Sequence, residues 1–303
     1  MNDTLTLRND YLFKRLLGAE ENKACLQDFL ECVLDIEAET ITDLELLDKE
    51  LAKDVVTDKT GVLDVKARLK DGTTIDIEIQ NSWSAEFIPR TLFYWAKMYT
   101  DGFKEGEPYT HLTKCITINL VSEGFKLNTQ VHSVYGILEQ RNYQQLTDLL
   151  EIHFLNLSKA SQTALLQQEP IEKEQKLIHW LQFINTDDQK ERAMLATTSP
   201  ILQMLNEKID VLSLNPVERK LYESRMKLKS DIATISEVQF KSGLELGFAE
   251  GIEQGKAEGK SLGLAEGSRQ AKLETAKLMR KRDYPPAEIC LMTGLSRAEV
   301  EAL

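Results

Sequence analysis

The sequence predicts an α/β protein, and three observations predict it. Residues 62–80 alternate apolar and polar side chains with period two on both sides of Asp71-Gly72, the pattern of a β-hairpin. Residues 115–121 and 151–157 are apolar-rich runs of strand length. Before, between and after these strands, apolar residues recur at helical spacing.

Taken in order, Asn9-Asp10 can cap a first helix in which Tyr11, Leu12, Leu16 and Leu17 share one side. Residues 24–34 form a second helix, with Cys25, Leu26, Phe29, Leu30, Val33 and Leu34 on one face. After Asp35 the period changes: Ile41, Leu44 and Leu46-Leu47 suggest a strand, followed by a polar connector over residues 48–60. A helical pattern follows the hairpin over residues 85–103, and Cys115-Ile116-Thr117-Ile118-Asn119-Leu120-Val121 reads as a central strand. Residues 162–238 are helical, with Leu177, Ile178, Trp180, Leu181 and Ile184 as an apolar face.

From Gly243 glycine recurs at 247, 251, 255, 259, 263 and 267. Each glycine in a helix interior costs about 0.8–1.0 kcal/mol against alanine, so seven cost roughly 6–7 kcal/mol unless contacts offset it. The stripe is either a self-association surface, because it lets another backbone approach closely, or a frayed tether. Glu250, Glu253, Lys256 and Glu258 exclude a membrane span there. Residues 286–303 read as two short helices about Thr293-Gly294, with Ser296 capping the second, in the manner of a helix-turn-helix. Lys277, Arg280, Lys281 and Arg282 offer charge for DNA contact, but the second helix is short for reading a groove, and helical packing is the other use of this unit.

Composition bounds the possibilities. A chain of 303 residues, 42% hydrophobic and 28% charged, can build one large or two modest cores. The net charge of −12 argues mildly against a nucleic-acid partner, although local patches and bound metal decide phosphate affinity rather than the sum. Cys25, Cys32, Cys115 and Cys290 form no C-x-x-C pair, the first two are expected in the core, and the four histidines lack metal spacing, so structural zinc is not expected. The opening MNDTLTLRND has no basic start with an apolar run, and no stretch reaches about 18 apolar residues. A reduced cytoplasm and no membrane partner are expected.

Register decides the chemistry of the hairpin. A two-residue loop at Asp71-Gly72 would set Arg68 against Ile75, mixing the faces. A three-residue loop, Lys70-Asp71-Gly72, places glycine where a left-handed residue is wanted and pairs Ala67 with Ile75, Lys66 with Asp76 and Asp64 with Glu78. Cross-strand Cβ atoms lie roughly 4.5–5.5 Å apart, so Asp64 and Glu78 stand side by side. Adjacent carboxylates repel, and a hard divalent ion such as Mg²⁺ relieves that repulsion, acidifies water and stabilises charge on a phosphodiester. Gln80, on the same face, can orient the attacking water or bond a phosphate oxygen. Alternating charge on a solvated antiparallel face is the ordinary reading of such a hairpin, and Asp64 in mid-strand is what sets this one apart.

The run Gly61-Val62-Leu63-Asp64-Val65-Lys66-Ala67, a short loop, then Ile77-Glu78-Ile79-Gln80 resembles the active-site hairpin of PD-(D/E)XK nucleases. More specifically it is similar to the recombination-promoting nuclease and transposase-like group called Rpn, whose opening motif resembles Asn9-Asp10-Tyr11-Leu12-Phe13-Lys14. Arg90 with Tyr94, then Gly106 and Tyr109, match its pattern, as does the glycine-rich tail. The likeness covers most of residues 5–160 and the tail, and is looser over the helical middle.

The resemblance implies a nuclease-like core of a central mixed sheet flanked by helices over residues 1–160, and the residues themselves give a helical region over 161–240 and a Gly-xxx-Gly tail with its helix-turn-helix-like unit over 241–303. It implies a Mg²⁺- (or Mn²⁺-) dependent DNA endonuclease tied to recombination or mobile elements, with DNA as partner and possible homo-oligomers through the tail. Asp64 and Glu78 fall on metal ligands and Gln80 on the position of the motif's lysine. Glutamine cannot supply that lysine's charge, though the group commonly carries glutamine there, and slower chemistry or stricter metal dependence is expected. Asp10 is a candidate supplement from the first helix, or simply a cap. Two alternatives stand: a catalytically inert DNA-binding or assembly protein on the same fold, and an RNA nuclease.

Overall fold

Ile75, Ile77 and Ile79 point to one side of their strand and need a second layer to cover them. In a computed structural model of the chain, which describes residues 5–48, 64–127, 129–163 and 172–303, that layer begins with the first two helices. Helix α1 (Asp10–Leu17) starts at Asn9, whose side chain accepts hydrogen bonds from the N–H groups of Tyr11 and Leu12, and it buries Leu12, Phe13, Leu16 and Leu17. Helix α2 (Lys23–Val33) buries Cys25, Leu26, Phe29, Leu30 and Val33 in the same core. Cys32 is partly buried and packs against that core.

Strands β1 (Leu44–Leu46), β2 (Val65–Leu69) and β3 (Thr74–Ser82) form an antiparallel meander. A parallel neighbour cannot follow through a tight turn, so α3 (Phe87–Thr100) carries the chain across to β4 (Cys115–Glu123), which runs parallel to β3. Strand β5 (His132–Leu138) and β6 (Gln145–Asn156) form an antiparallel pair, with β6 parallel to β4. The six-stranded mixed sheet has the order β1-β2-β3-β4-β6-β5.

Helices α4 (Leu157–Thr163), α5 (Glu172–Asn185), α6 (Gln189–Ala196) and α7 (Pro200–Leu214) close the core over the isoleucine face. Trp180 and Leu181 of α5 and Leu205 and Ile209 of α7 are buried with Ile75 and Ile77. The opposite face carries a smaller cluster of Phe87, Val121, Leu150, Ile152 and Phe154 under α3. The chain divides into two compact units, Met1–Leu228 and Lys229–Leu303.

The hairpin register is the three-residue-loop one: Lys66 pairs with Asp76 and Ala67 with Ile75. Gly72 sits at φ +89° and its N–H donates to the Leu69 carbonyl at 3.0 Å. The connector over residues 49–60 and the Gly61-Val62-Leu63 lead into β2 lie outside the described residues.

One expectation changes. The β5–β6 hairpin was not expected: β6 begins six residues before the predicted 151, and β5 is a strand the periodicity did not announce, with Gly136 and register shifts about Ile137 breaking its alternation. Gly243 to Gly267 all fall inside one helix, α8 (Pro216–Arg280). A Cβ added at any of these seven glycines would meet nothing of its own unit within 4 Å.

In the second unit, α9 (Pro286–Thr293) and α10 (Arg297–Glu301) fold against the end of α8 around Ala276, Ile289, Leu295 and Val300. Gly294 takes the left-handed turn at φ +70°, and Ser296 with Glu299 forms a capping box. Arg280 donates to the carbonyls of Val300 and Glu301 at 3.0 and 3.2 Å, so that cation serves the helix end. Among the described residues no helix is long and apolar enough to cross a membrane.

Gly72→Ala forces a left-handed residue and brings a Cβ to 3.0 Å from Thr113 Cγ2. At about 1–2 kcal/mol for the conformation alone, and about 2–4 °C per kcal/mol for a protein of this size, thermal unfolding should move down by several degrees. An unchanged midpoint would contradict the turn geometry.

Candidate active site

The face of β3 opposite the isoleucines carries Asp76, Glu78 and Gln80, and α3 lies over it. Asp64 directly precedes β2, where the Val65–Ile77 pairing sets it against Glu78. The two acids are then tied to each other's strands. The backbone N–H of Ile79 donates to Asp64 Oδ2 at 2.9 Å, and the N–H of Asp64 donates to Glu78 Oε1 at 3.1 Å. From α1, Lys14 Nζ reaches Asp64 Oδ1 at 2.7 Å.

Helix α3 supplies the other wall through Phe87, Arg90, Thr91 and Tyr94, spaced to share one helical face. Arg90 Nη2 donates to Gln80 Oε1 at 3.0 Å, and its guanidinium lies 5.0 Å from the Phe87 ring centroid, stacked over that ring. Thr91 Oγ1 bonds Asn119 Oδ1 at 3.2 Å, which fixes α3 on β4, where Asn119 is the register partner of Glu78. Lys66 lies across from Asp76 but spends its ammonium on Asp101 Oδ2 at 2.7 Å.

Crowded carboxyls hold on to protons here. Burial, then the neighbouring Asp64 charge, push Glu78 up to about 8, with Arg90 and Lys14 pulling the other way. Asp76, 1% exposed, is raised well above the usual carboxylate range by burial, then by Glu78 and Asp64. Asp76 Oδ1 and the Oγ1 of its register partner Thr117 both lack a hydrogen-bond partner among the described residues. Burial, followed by the Glu78 charge, also raises the Tyr94 hydroxyl.

This donor set fits a hard divalent cation. Glu78 is partly exposed and stands against Asp64, so an ion between them would relieve the repulsion that adds to the rise of Glu78. Among the described residues no three His, Cys, Asp or Glu side chains stand close enough together to hold a metal by themselves. Mg²⁺ does not require three, because it is commonly held by one or two carboxylates with water completing its shell. Asp76 therefore remains a buried neighbour of the pair.

A family profile described as PD-(D/E)XK nuclease family transposase matches residues 7–238. The chain belongs to the PD-(D/E)XK nuclease family transposases. No curated protein and no solved structure matches it. As a member of this family it has a nuclease- or transposase-like function, and PD-(D/E)XK nucleases generally use divalent metal ions.

Of the residues expected from sequence, Asp64, Glu78 and Gln80 come together on one face at the β2–β3 seam. Arg90 and Tyr94, matched only as a pattern, stand over it from α3. Of the Asn9-Asp10 pair it is Asn9 that caps α1, and Asp10 occupies its first turn. Two participants went unpredicted. Asp76 was visible by parity two residues before Glu78, opposite Lys66. Lys14 contacts a residue 50 positions away, and only its place in the opening motif marked it.

Glu78 yields a stability prediction for the metal-free protein. Below its ordinary value of 4.5 both folded and unfolded chains keep the proton, so nothing is lost. As pH rises through 4.5 toward about 8 the unfolded chain releases it first, and folding stability falls. Glu78→Gln removes that loss, so its melting temperature should exceed the wild type's by several degrees near pH 8.5, with the gap closing toward pH 5. A gap that does not vary with pH would contradict the raised carboxyl.

Proposed function

We propose that this protein is a divalent-metal-dependent DNA endonuclease, hydrolysing phosphodiester bonds in recombination or mobile-element transactions. One observation carries the reading: Asp64 and Glu78 meet at the strand seam, each held by the other strand's backbone. Family membership supports a nuclease or transposase reaction, and a transposase acts on DNA.

Asp64 and Glu78 would hold Mg²⁺ or Mn²⁺. Such an ion supplies Lewis acidity: it acidifies water and neutralises charge building on a phosphodiester. The remaining work falls to the chain's own groups. The Ile79 N–H pins Asp64, so that carboxylate is oriented before any ligand arrives. Gln80 has its amide oxygen engaged by Arg90, which leaves the amide N–H groups as donors for a phosphate oxygen or for the attacking water. Arg90, fixed by Phe87 and Gln80, brings to this face a positive charge that Gln80 lacks. The net charge of −12 does not prevent binding, because this cation stands beside the acids where the phosphate would lie.

Asp64→Asn keeps the shape and an acceptor for Ile79 while removing the charge. Plasmid nicking in Mg²⁺ or Mn²⁺ should fall about 10²- to 10³-fold, as loss of several kcal/mol of metal-assisted stabilisation implies, and a chelator should abolish nicking by the wild type. Undiminished nicking by the variant overturns the assignment. Tight DNA binding without nicking in either metal would mark an inert assembly protein, and labelled RNA cut in preference to DNA would mark an RNA nuclease.

A further inference from the structure

Among the described residues, Lys14 is the one cation in direct contact with a carboxylate of the proposed metal pair, at 2.7 Å from Asp64 Oδ1. The other oxygen of Asp64 is already taken by the Ile79 N–H at 2.9 Å. A divalent ion engaging Oδ1 must therefore share or displace the ammonium, and a second positive charge at that distance is repelled. Which partner moves is decided by anchoring. The Asp64 side chain is 10% exposed and pinned by a backbone donor, whereas the Lys14 side chain is 28% exposed on a flexible four-carbon stem.

The rest of α1 cannot move with it. Leu12, Phe13, Leu16 and Leu17 are buried in the main core, and Asn9 caps the helix start. The ammonium alone is mobile, and it can swing only about its own Cα, within a few ångströms of the acids. A phosphodiester entering this seam approaches the Asp64 and Glu78 carboxyls, and a nearby cation favours its arrival. Arg90 serves the Gln80 end, and Lys14 stands at the Asp64 end.

We propose that Lys14 is a displaceable counter-ion: it neutralises Asp64 until the divalent cation arrives, then turns to pair with a phosphate of the bound strand. The inference rests on the metal reading of Asp64 and Glu78. It explains how the Asp64 end of the seam stays neutral when metal-free, and it makes ion binding and strand binding cooperative, because each arrival gives Lys14 its new partner.

Two binding measurements on the full chain test this without any cleavage readout. Mn²⁺ alone is titrated against wild type, Lys14→Met, Lys14→Arg and Asp64→Asn, and affinity for a labelled DNA duplex is followed as salt is raised. Losing the competing cation should tighten Mn²⁺ binding by Lys14→Met roughly three- to tenfold. Losing one phosphate contact should weaken duplex binding and flatten its log–log salt dependence by about one unit. Lys14→Arg should resemble wild type in both, and circular dichroism of Lys14→Met should show the wild-type helix content.

If wild type binds Mn²⁺ in a manner that Asp64→Asn destroys, yet Lys14→Met binds it no more tightly, Lys14 is a structural ion pair and the inference is overturned while the metal site stands. An unchanged salt slope in Lys14→Met overturns the phosphate half. If wild type itself takes up no Mn²⁺, the metal reading and the Lys14 inference fall together.

Discussion

The register between β2 and β3 is the constraint on which the remaining structure depends. Side chains alternate along a strand, so a slip of one residue would turn Asp76, Glu78 and Gln80 into the main core and expose Ile75, Ile77 and Ile79. Burying a carboxylate among leucines is far more costly than leaving an isoleucine in water. The three-residue turn through Gly72 and the apolar demand of the core therefore select the same pairing, and that pairing brings Asp64 to Glu78.

The consequence of that pairing is electrostatic. Three carboxyl groups share one sheet face, and part of their charge is answered locally by Lys14 on Asp64 and Arg90 beside Gln80. Glu78 and Asp76 answer the remainder by holding protons. A divalent ion held there, as proposed, would replace those protons with charge, and by binding the folded seam it would stabilise the fold. Site chemistry and stability are thus two readouts of one cluster. The helix that provides Arg90 is also the crossover that lets β4 run parallel to β3, so one connection serves topology and site.

Much of this was legible in the residues. Strict alternation about Asp71-Gly72 disclosed both strands and their register, and from that the meeting of Asp64 and Glu78 could be read. The helices announced themselves through Asn9, Leu12 and Leu16, and through Leu177, Trp180 and Ile184, because burial on one face leaves a 3.6-residue period. Strand β5 was hidden, since much of it is exposed at the sheet edge, where no core demands alternation. The contact of Lys14 with Asp64 was hidden too, because no local pattern encodes a pairing made only when α1 packs beside the strands. In the tail, the glycines at positions 243–267 all lie within one helix.

The position of a bound cation bears most directly on the role of the seam. Crystals soaked in Mn²⁺ and measured for its anomalous signal should show one peak within roughly 2.5 Å of oxygens from both Asp64 and Glu78, the range expected for a hard cation on carboxylates. A peak elsewhere on the molecule, or none while the two side chains retain the hydrogen bonds that tie them to each other's strands, would contradict it.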